Sequence, residues 1–213
     1  MNHTAENIEL KIFYIMDPMC SWCYGFSAEL EQIVAQLPDG AKFYTVMGGL
    51  APDSDEPMGP EMIAYLKSAW AAVAERTGAE FNFDFFTACT PRRSTYPACR
   101  AVIAAGMQGA NHVPEMVAAI QRAYYQQARN PSDEATLVEL AEEIGLDAAR
   151  FAGDLNSAQV EQLLNADFNF RNRLGVQGFP ALILQKGQEF YGLSIGYATA
   201  EAVLARLAWA LAQ

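Results

Sequence analysis

Residues 9–16, Glu-Leu-Lys-Ile-Phe-Tyr-Ile-Met, form a short apolar run rich in β-branched and aromatic side chains, and predict a buried strand. Asp17-Pro18 breaks it. The period then changes. Trp22, Phe26, Leu30, Ile33, Val34 and Leu37 fall on one face of a helix, which Pro38-Asp39-Gly40 closes. Residues 41–47 predict a second strand that runs into Gly48-Gly49. The first fifty or so residues thus predict one strand–helix–strand unit.

Residues 51–60 are a Pro/Asp/Gly-rich loop, and 60–175 read as almost wholly helical. Met62, Leu66, Ala69, Trp70 and Val73 mark one helix, ended by Gly78. Phe81 to Phe86 alternates apolar and polar, which suits either a short strand or an extended connector. Pro97 opens a further helix at a favoured first-turn position. Pro114 and Ser132 mark other starts, Ser132 as an N-cap before Asp133-Glu134, and Asn156-Ser157 opens the last helix of the block. Strands return after Gly178-Phe179-Pro180: 181–185, a turn at 186–188, and 189–193. A final helix spans about Thr199 to Leu211. Neither end of the chain can bury its strands alone, so the two ends predict one four-stranded sheet with helices on both faces. Residues 1–50 and 176–213 would build that domain, with 51–175 as an inserted helical domain.

At 52% hydrophobic residues, 213 residues can bury a sizeable core. The net charge of −11 argues against nucleic acid and against anionic membrane surfaces, which need clustered cations. No apolar stretch approaches the ~18 residues a bilayer span requires. Met1 to Asn7 has neither a basic nor an apolar leader pattern, which predicts a cytoplasmic protein. In that compartment a cysteine pair is catalytic or metal-binding more often than it is a structural staple.

Such a pair stands where the first helix should open: Cys20-Ser21-Trp22-Cys23. A helix N-terminus presents unpaired N–H groups and a positive dipole end, both of which stabilise a thiolate nucleophile. A zinc site would need two further ligands. Cys89 and Cys99 are poorly spaced for this, the histidines are His3 and His112, and no metal is expected. The redox reading is the stronger one. Pro180 at a strand start removes a ladder donor, which alone is unremarkable.

Asp17-Pro18-Met19-Cys20-Ser21-Trp22-Cys23-Tyr24-Gly25-Phe26, together with Gly175-Val176-Gln177-Gly178-Phe179-Pro180-Ala181, resembles the DsbA-like branch of the thioredoxin superfamily. Tyr96-Pro97-Ala98-Cys99-Arg100-Ala101 is similar to its FrnE-like subgroup, whose members are described as protein-disulfide isomerases. The resemblance covers essentially the whole chain. It implies an α/β thioredoxin fold, a central four-stranded mixed sheet with flanking helices, carrying a large helical insertion. It also implies thiol–disulfide exchange, with Cys20 as the exposed attacking thiol and Cys23 as the buried resolving thiol. Pro180 would be a cis-proline facing them, and Phe179 would offer backbone hydrogen bonds to an extended substrate. Ser21 and Trp22 would border that substrate, a disulfide-containing protein or small thiol. Trp22 equally suits the top of the core stripe. No tightly bound cofactor is implied; glutathione or a dithiol reductase would recycle the pair. Ser21-Trp22 lacks the His of the periplasmic oxidant, so a less oxidising couple is expected.

The kappa-class glutathione transferase and hydroxychromene-carboxylate isomerase group is a rival resemblance. Cys23 is superfluous to that chemistry, and Gly196-Tyr197-Ala198-Thr199 lacks that group's Ser-Asp pair. Cys89 and Cys99 are read as packing residues, with Cys99 facing the active site or pairing with Cys89 as the alternatives. Arg92-Arg93 is read as a solvated loop, with a small anion-holding patch as the alternative.

Overall fold

A computed structural model of the chain describes residues 9–213. The readings placed on His3 and on Met1 to Asn7 lie outside that range. Four strands, β1 (Leu10–Met16), β2 (Lys42–Met47), β3 (Ala181–Lys186) and β4 (Glu189–Ile195), form one sheet in the order β2-β1-β3-β4. β1 pairs with β2 in parallel and with β3 antiparallel, and β3–β4 is a hairpin turned at Gly187. Strand β1 is central and covered on both faces, which is why its sequence is almost unbroken apolar; Ile12, Ile15 and Met16 are fully buried. Edge strand β2 alternates exposed and half-buried positions until Val46 and Met47 turn into the core.

Helices α1 (Ser21–Gly25) and α2 (Ser27–Val34) follow β1. The single helix expected from Trp22 to Leu37 is therefore divided at Phe26. Ser27 Oγ donates to the Tyr24 carbonyl at 2.8 Å, within the helical ladder, while Phe26 is fully buried at the joint. Between β2 and β3 lie α3 (Pro60–Thr77), α4 (Phe85–Ala88), α5 (Tyr96–Gly106), α6 (His112–Tyr125), α7 (Glu134–Glu143), α8 (Ala148–Leu155) and α9 (Ala158–Arg173). Gly78 ends α3 at φ +74°, Pro97 sits in the first turn of α5, and Ser157 caps α9 through the Val160 N–H. Helix α10 (Ala200–Leu211) is capped by Thr199 and packs on α2 and β4.

A second expectation changes, and one left open is resolved. Ser132 is not an N-cap. Asp133 holds that position, while the Ser132 hydroxyl turns inward and donates to Ser94 O at 2.7 Å, the partner a buried hydroxyl needs. Of the two readings of Phe81 to Phe86, the connector holds over 81–84, and α4 follows. Its alternating rings converge on Trp70, with centroids of Phe81, Phe85 and Phe86 at 5.3, 5.9 and 4.7 Å. Aromatic packing, not a sheet edge, satisfies the alternation. Among the described residues no helix is long and apolar enough to cross a membrane.

Candidate active site

Cys20 occupies the N-cap of α1, with φ −83° and ψ 116°, and its N–H donates to Asp17 O at 3.0 Å. Cys23 lies one turn inside. Both thiols are free. Cys20 is 7% exposed and Cys23 0%. The expected order of accessibility holds, but Cys20 is itself buried instead of exposed. The reason lies across the sheet: the Cys20 thiol faces the Phe179 carbonyl at 3.8 Å, and Phe179 and Met19 are both buried around it. Burial pushes the Cys23 thiol well above its usual range; its hydrogen bond and charge coupling with Cys20 add to this, while the Asp17 backbone amide opposes it. The inner sulfur is therefore held as a thiol.

The Phe179–Pro180 peptide is cis, as the resemblance implies, and Pro180 O accepts the Gly196 N–H at 2.7 Å. The distal end of the Phe179 ring abuts Gly48, where an added Cβ would come within 2.3 Å of it. Arg171, in the last turn of α9, holds its guanidinium 5.6 Å from the centre of that ring and 5.4 Å from that of Phe168. The same guanidinium donates to the carbonyls of Gly48 and Gly49. Helix α9 thus clamps the end of β2 against the loop that faces Cys20.

A cleft of about 400 Å³ opens here, walled by Trp22, Arg76, Phe179, Gly196 and Tyr197. Trp22 and Phe179, two of the four expected substrate contacts, line it; Ser21 and Pro180 are not among its walls. Trp22 is half-buried against the core and also lines the cleft.

Several residues of this site were not singled out from the sequence. Asp17, read as a strand breaker and as the first residue of the resembling motif but given no role, is fully buried. Its carboxylate accepts from Met19 N at 2.8 Å, Leu50 N at 2.7 Å and Thr95 Oγ1 at 2.6 Å. Burial raises its pKa, and these hydrogen bonds oppose the rise. An acidic residue inside an otherwise apolar stretch was the available signal. Cys99 is buried with its thiol 3.6 Å from Asp17 Oδ2, whereas Cys89 donates to Ala128 O at 2.8 Å, so the two do not pair. Arg92 is no solvated loop residue: it holds Asp133 at 2.6 Å and Ser132 O at 2.8 Å. Tyr14 and Tyr125, both buried, have pKa values raised by burial first and also by the nearby thiols. Among the described residues no group of three or more His, Cys, Asp or Glu is placed to hold a metal ion.

Comparison with known proteins gives a consistent picture. The family described as a DSBA-like thioredoxin domain matches residues 10–205. A structure of a putative protein disulfide isomerase from Nitrosomonas europaea superposes with a TM-score of 0.85 at 31% identity, covering 96% of this chain and 98% of that one. The cytosolic disulfide reductase DsbM from Pseudomonas aeruginosa, solved with GSH, gives 0.74 at 26% identity over 95% and 100%. The ClpXP adapter protein SpxH of Bacillus subtilis is 26% identical over 84% of this chain; the chain spans 60% of that relative's length.

Proposed function

Because the chain belongs to the DSBA-like thioredoxin-domain family, we propose that it is a cytoplasmic thiol–disulfide oxidoreductase of the reductase or isomerase kind. The observation that carries this reading is the unequal setting of the two sulfurs. Cys20 stands at a helix N-cap beside a backbone carbonyl, and Cys23 is sealed behind it with a raised pKa. A disulfide relay needs one sulfur that meets substrate and one that waits.

In this reading the Cys20 thiolate attacks one sulfur of a substrate disulfide. A bond forms between them, the substrate's second sulfur leaves as a thiolate, and it takes a proton. Cys23 then loses its proton and attacks Cys20, releasing the first substrate sulfur as a thiol. The substrate has gained two electrons and the protein holds a Cys20–Cys23 disulfide. Two glutathione thiols, or one dithiol reductase, return the pair to the dithiol state. The cycle balances with thiols alone and calls for no tightly bound cofactor. Phe179 would pair with an extended substrate backbone, Pro180 would bound it, and Ser21 and Trp22 would flank the reacting sulfur. Substrates are disulfide-containing proteins or small thiols, not nucleic acid or membrane. Residues 51–175 would act as an inserted domain whose α9 braces Phe179 through Arg171. The DsbM relative supports the reductase direction and the cytoplasmic setting.

The test is reduction of insulin disulfides with a dithiol donor, run beside glutathione conjugation of a model electrophile. Insulin reduction without conjugation supports the relay; conjugation without insulin reduction favours the transferase reading. Cys20→Ser should abolish turnover, and Cys23→Ser should trap mixed disulfides. An adapter role without turnover is a second reading, favoured by the SpxH relative, and would stand if purified protein reduces no disulfide.

A further inference from the structure

The cleft beside Cys20 carries a positive charge that disulfide exchange itself does not require. Arg76 enters it from the last turn of α3, with its guanidinium 5.4 Å from the centre of the Tyr197 ring. Tyr197 is held in place: its hydroxyl donates to Glu29 Oε1 at 3.2 Å, and its ring meets Trp22 at 6.0 Å and Phe26 at 6.1 Å. Glu29 also accepts the Ala200 N–H at 2.6 Å, so its carboxylate caps α10 and orients the tyrosine. Arg92, Arg100, Arg129 and Arg150 hold carboxylates of the chain, in a protein with 25 acidic and 14 basic residues, and of the arginines that hold none among the described residues Arg76 is the one that lines this cleft. Arg76 holds none among the described residues, although it is surrounded by a net negative molecule. Stacked on an oriented ring, its planar fork keeps its N–H edges free for an incoming anion. The volume is within the range of small-ligand sites.

We propose that Arg76 and Tyr197 form a carboxylate subsite that selects acidic thiol peptides and their disulfides. A substrate carboxylate lies against the Arg76 guanidinium while the substrate sulfur faces Cys20 between Trp22 and Phe179. The helix dipole gives Arg76 a structural reason to sit at a C-terminus. That role would be indifferent to the substrate's charge, and the two roles separate on this point. The inference rests on the thiol–disulfide reading above.

The test uses the reduced full-length chain, oxidised in single turnover by three small disulfides: glutathione disulfide (anionic), hydroxyethyl disulfide (neutral) and cystamine (cationic). Rates are read by thiol trapping in about 0.5 M salt, where long-range steering is screened. Arg76→Gln should lower the rate ratio of glutathione disulfide to hydroxyethyl disulfide by about fivefold, the worth of one exposed ion pair. The ratio of cystamine to hydroxyethyl disulfide should rise. Arg76→Lys, which keeps the charge, should retain most of the preference. Unchanged ratios in Arg76→Gln, or an equal loss in Arg76→Lys, would overturn the subsite while leaving the relay intact. A wild-type protein that reacts with none of the three would overturn the relay and the subsite together.

Discussion

Two carboxyl groups, the buried Asp17 and the half-buried Asp167, have pKa values raised by burial. Asp167 accepts the Met47 N–H at 2.8 Å, yet burial raises its pKa from 3.8 to about 6. The fold therefore favours its protonated form. That contribution is fully present below about pH 3.8 and is lost as pH rises to about 6. Asp167→Asn keeps an acceptor for Met47 N without the charge. It should be more stable than wild type at pH 7 by about 1–3 kcal/mol, with the gap closing by pH 4. Urea melts at both pH values check this, and a constant gap would show that Asp167 is not the titrating group. The thiols give the second residue-scale expectation. Iodoacetamide at neutral pH, read by peptide mass spectrometry, should modify Cys20 before the fully buried Cys23 and Cys99. Faster labelling of either inner thiol would contradict the assigned roles.

At the scale of elements, the site depends on how β2 ends and how α1 begins. Gly48 leaves room for the Phe179 ring, and Arg171 closes over it. Gly48→Ala must push that ring, or the β2 end, aside. It should cost about 1–3 kcal/mol in stability and lower insulin reduction, because Phe179 is the backbone neighbour of Cys20. Normal turnover in a stable Gly48→Ala protein would mean that Phe179 is not a substrate contact. Helix α1 has five residues, and Ser21-Trp22 adds no positive charge to its N-terminus. The couple should lie between about −270 mV and about −120 mV, the thioredoxin and periplasmic-oxidant values. Replacing Ser21-Trp22 by Pro-His should raise it. A glutathione redox titration with thiol trapping measures both proteins, and a wild-type value at the oxidising end would show that charges beyond the dipeptide dominate.

For the whole molecule, the Asp17 cluster ties the sheet to the helical insertion. Asp17 follows β1, Leu50 and Ala51 follow β2, and Thr95 and Cys99 stand at and just inside the start of α5. Thr95 Oγ1 donates to Asp17 and accepts from the Leu50 and Ala51 N–H groups, each at 3.1 Å. Thr95→Val has nearly the same shape and leaves these groups short of a partner. It should destabilise by about 1–3 kcal/mol. Because the cluster spans both parts, denaturation should remain a single transition at Trp70 in the insertion and Trp209 in α10. Separate transitions would show that the insertion folds independently.

The elements were legible along the chain because each obeys a local rule. The apolar run of β1, the Gly78 stop, the Ser157 and Thr199 caps and the Pro97 start all depend on neighbours within a few residues. The cysteine pair at a helix start was legible for the same reason, and its resemblance together with Gly178-Phe179-Pro180 carried the fold. Local rules failed where a side chain answers to distant partners. Ser132 looks like a cap, but Ser94 lies within its reach. Phe81 to Phe86 suits a strand or a connector along the chain, and Trp70, drawing its rings together, goes with the connector. Cys20 reads as exposed, and a loop 159 positions away in sequence covers it. Arg76 and Arg171 are ordinary residues in the sequence, and only chain closure brings them to the cleft, as it brings Leu50, Thr95 and Cys99 to Asp17. Sequence by itself determined the strands, most of the helices and the cysteine pair at a helix start, because hydrophobic period and capping are local. Tertiary structure alone decided which carbonyl faces Cys20, which carboxylate is buried and which guanidinium borders its cleft, because burial and pairing depend on residues far apart in the chain.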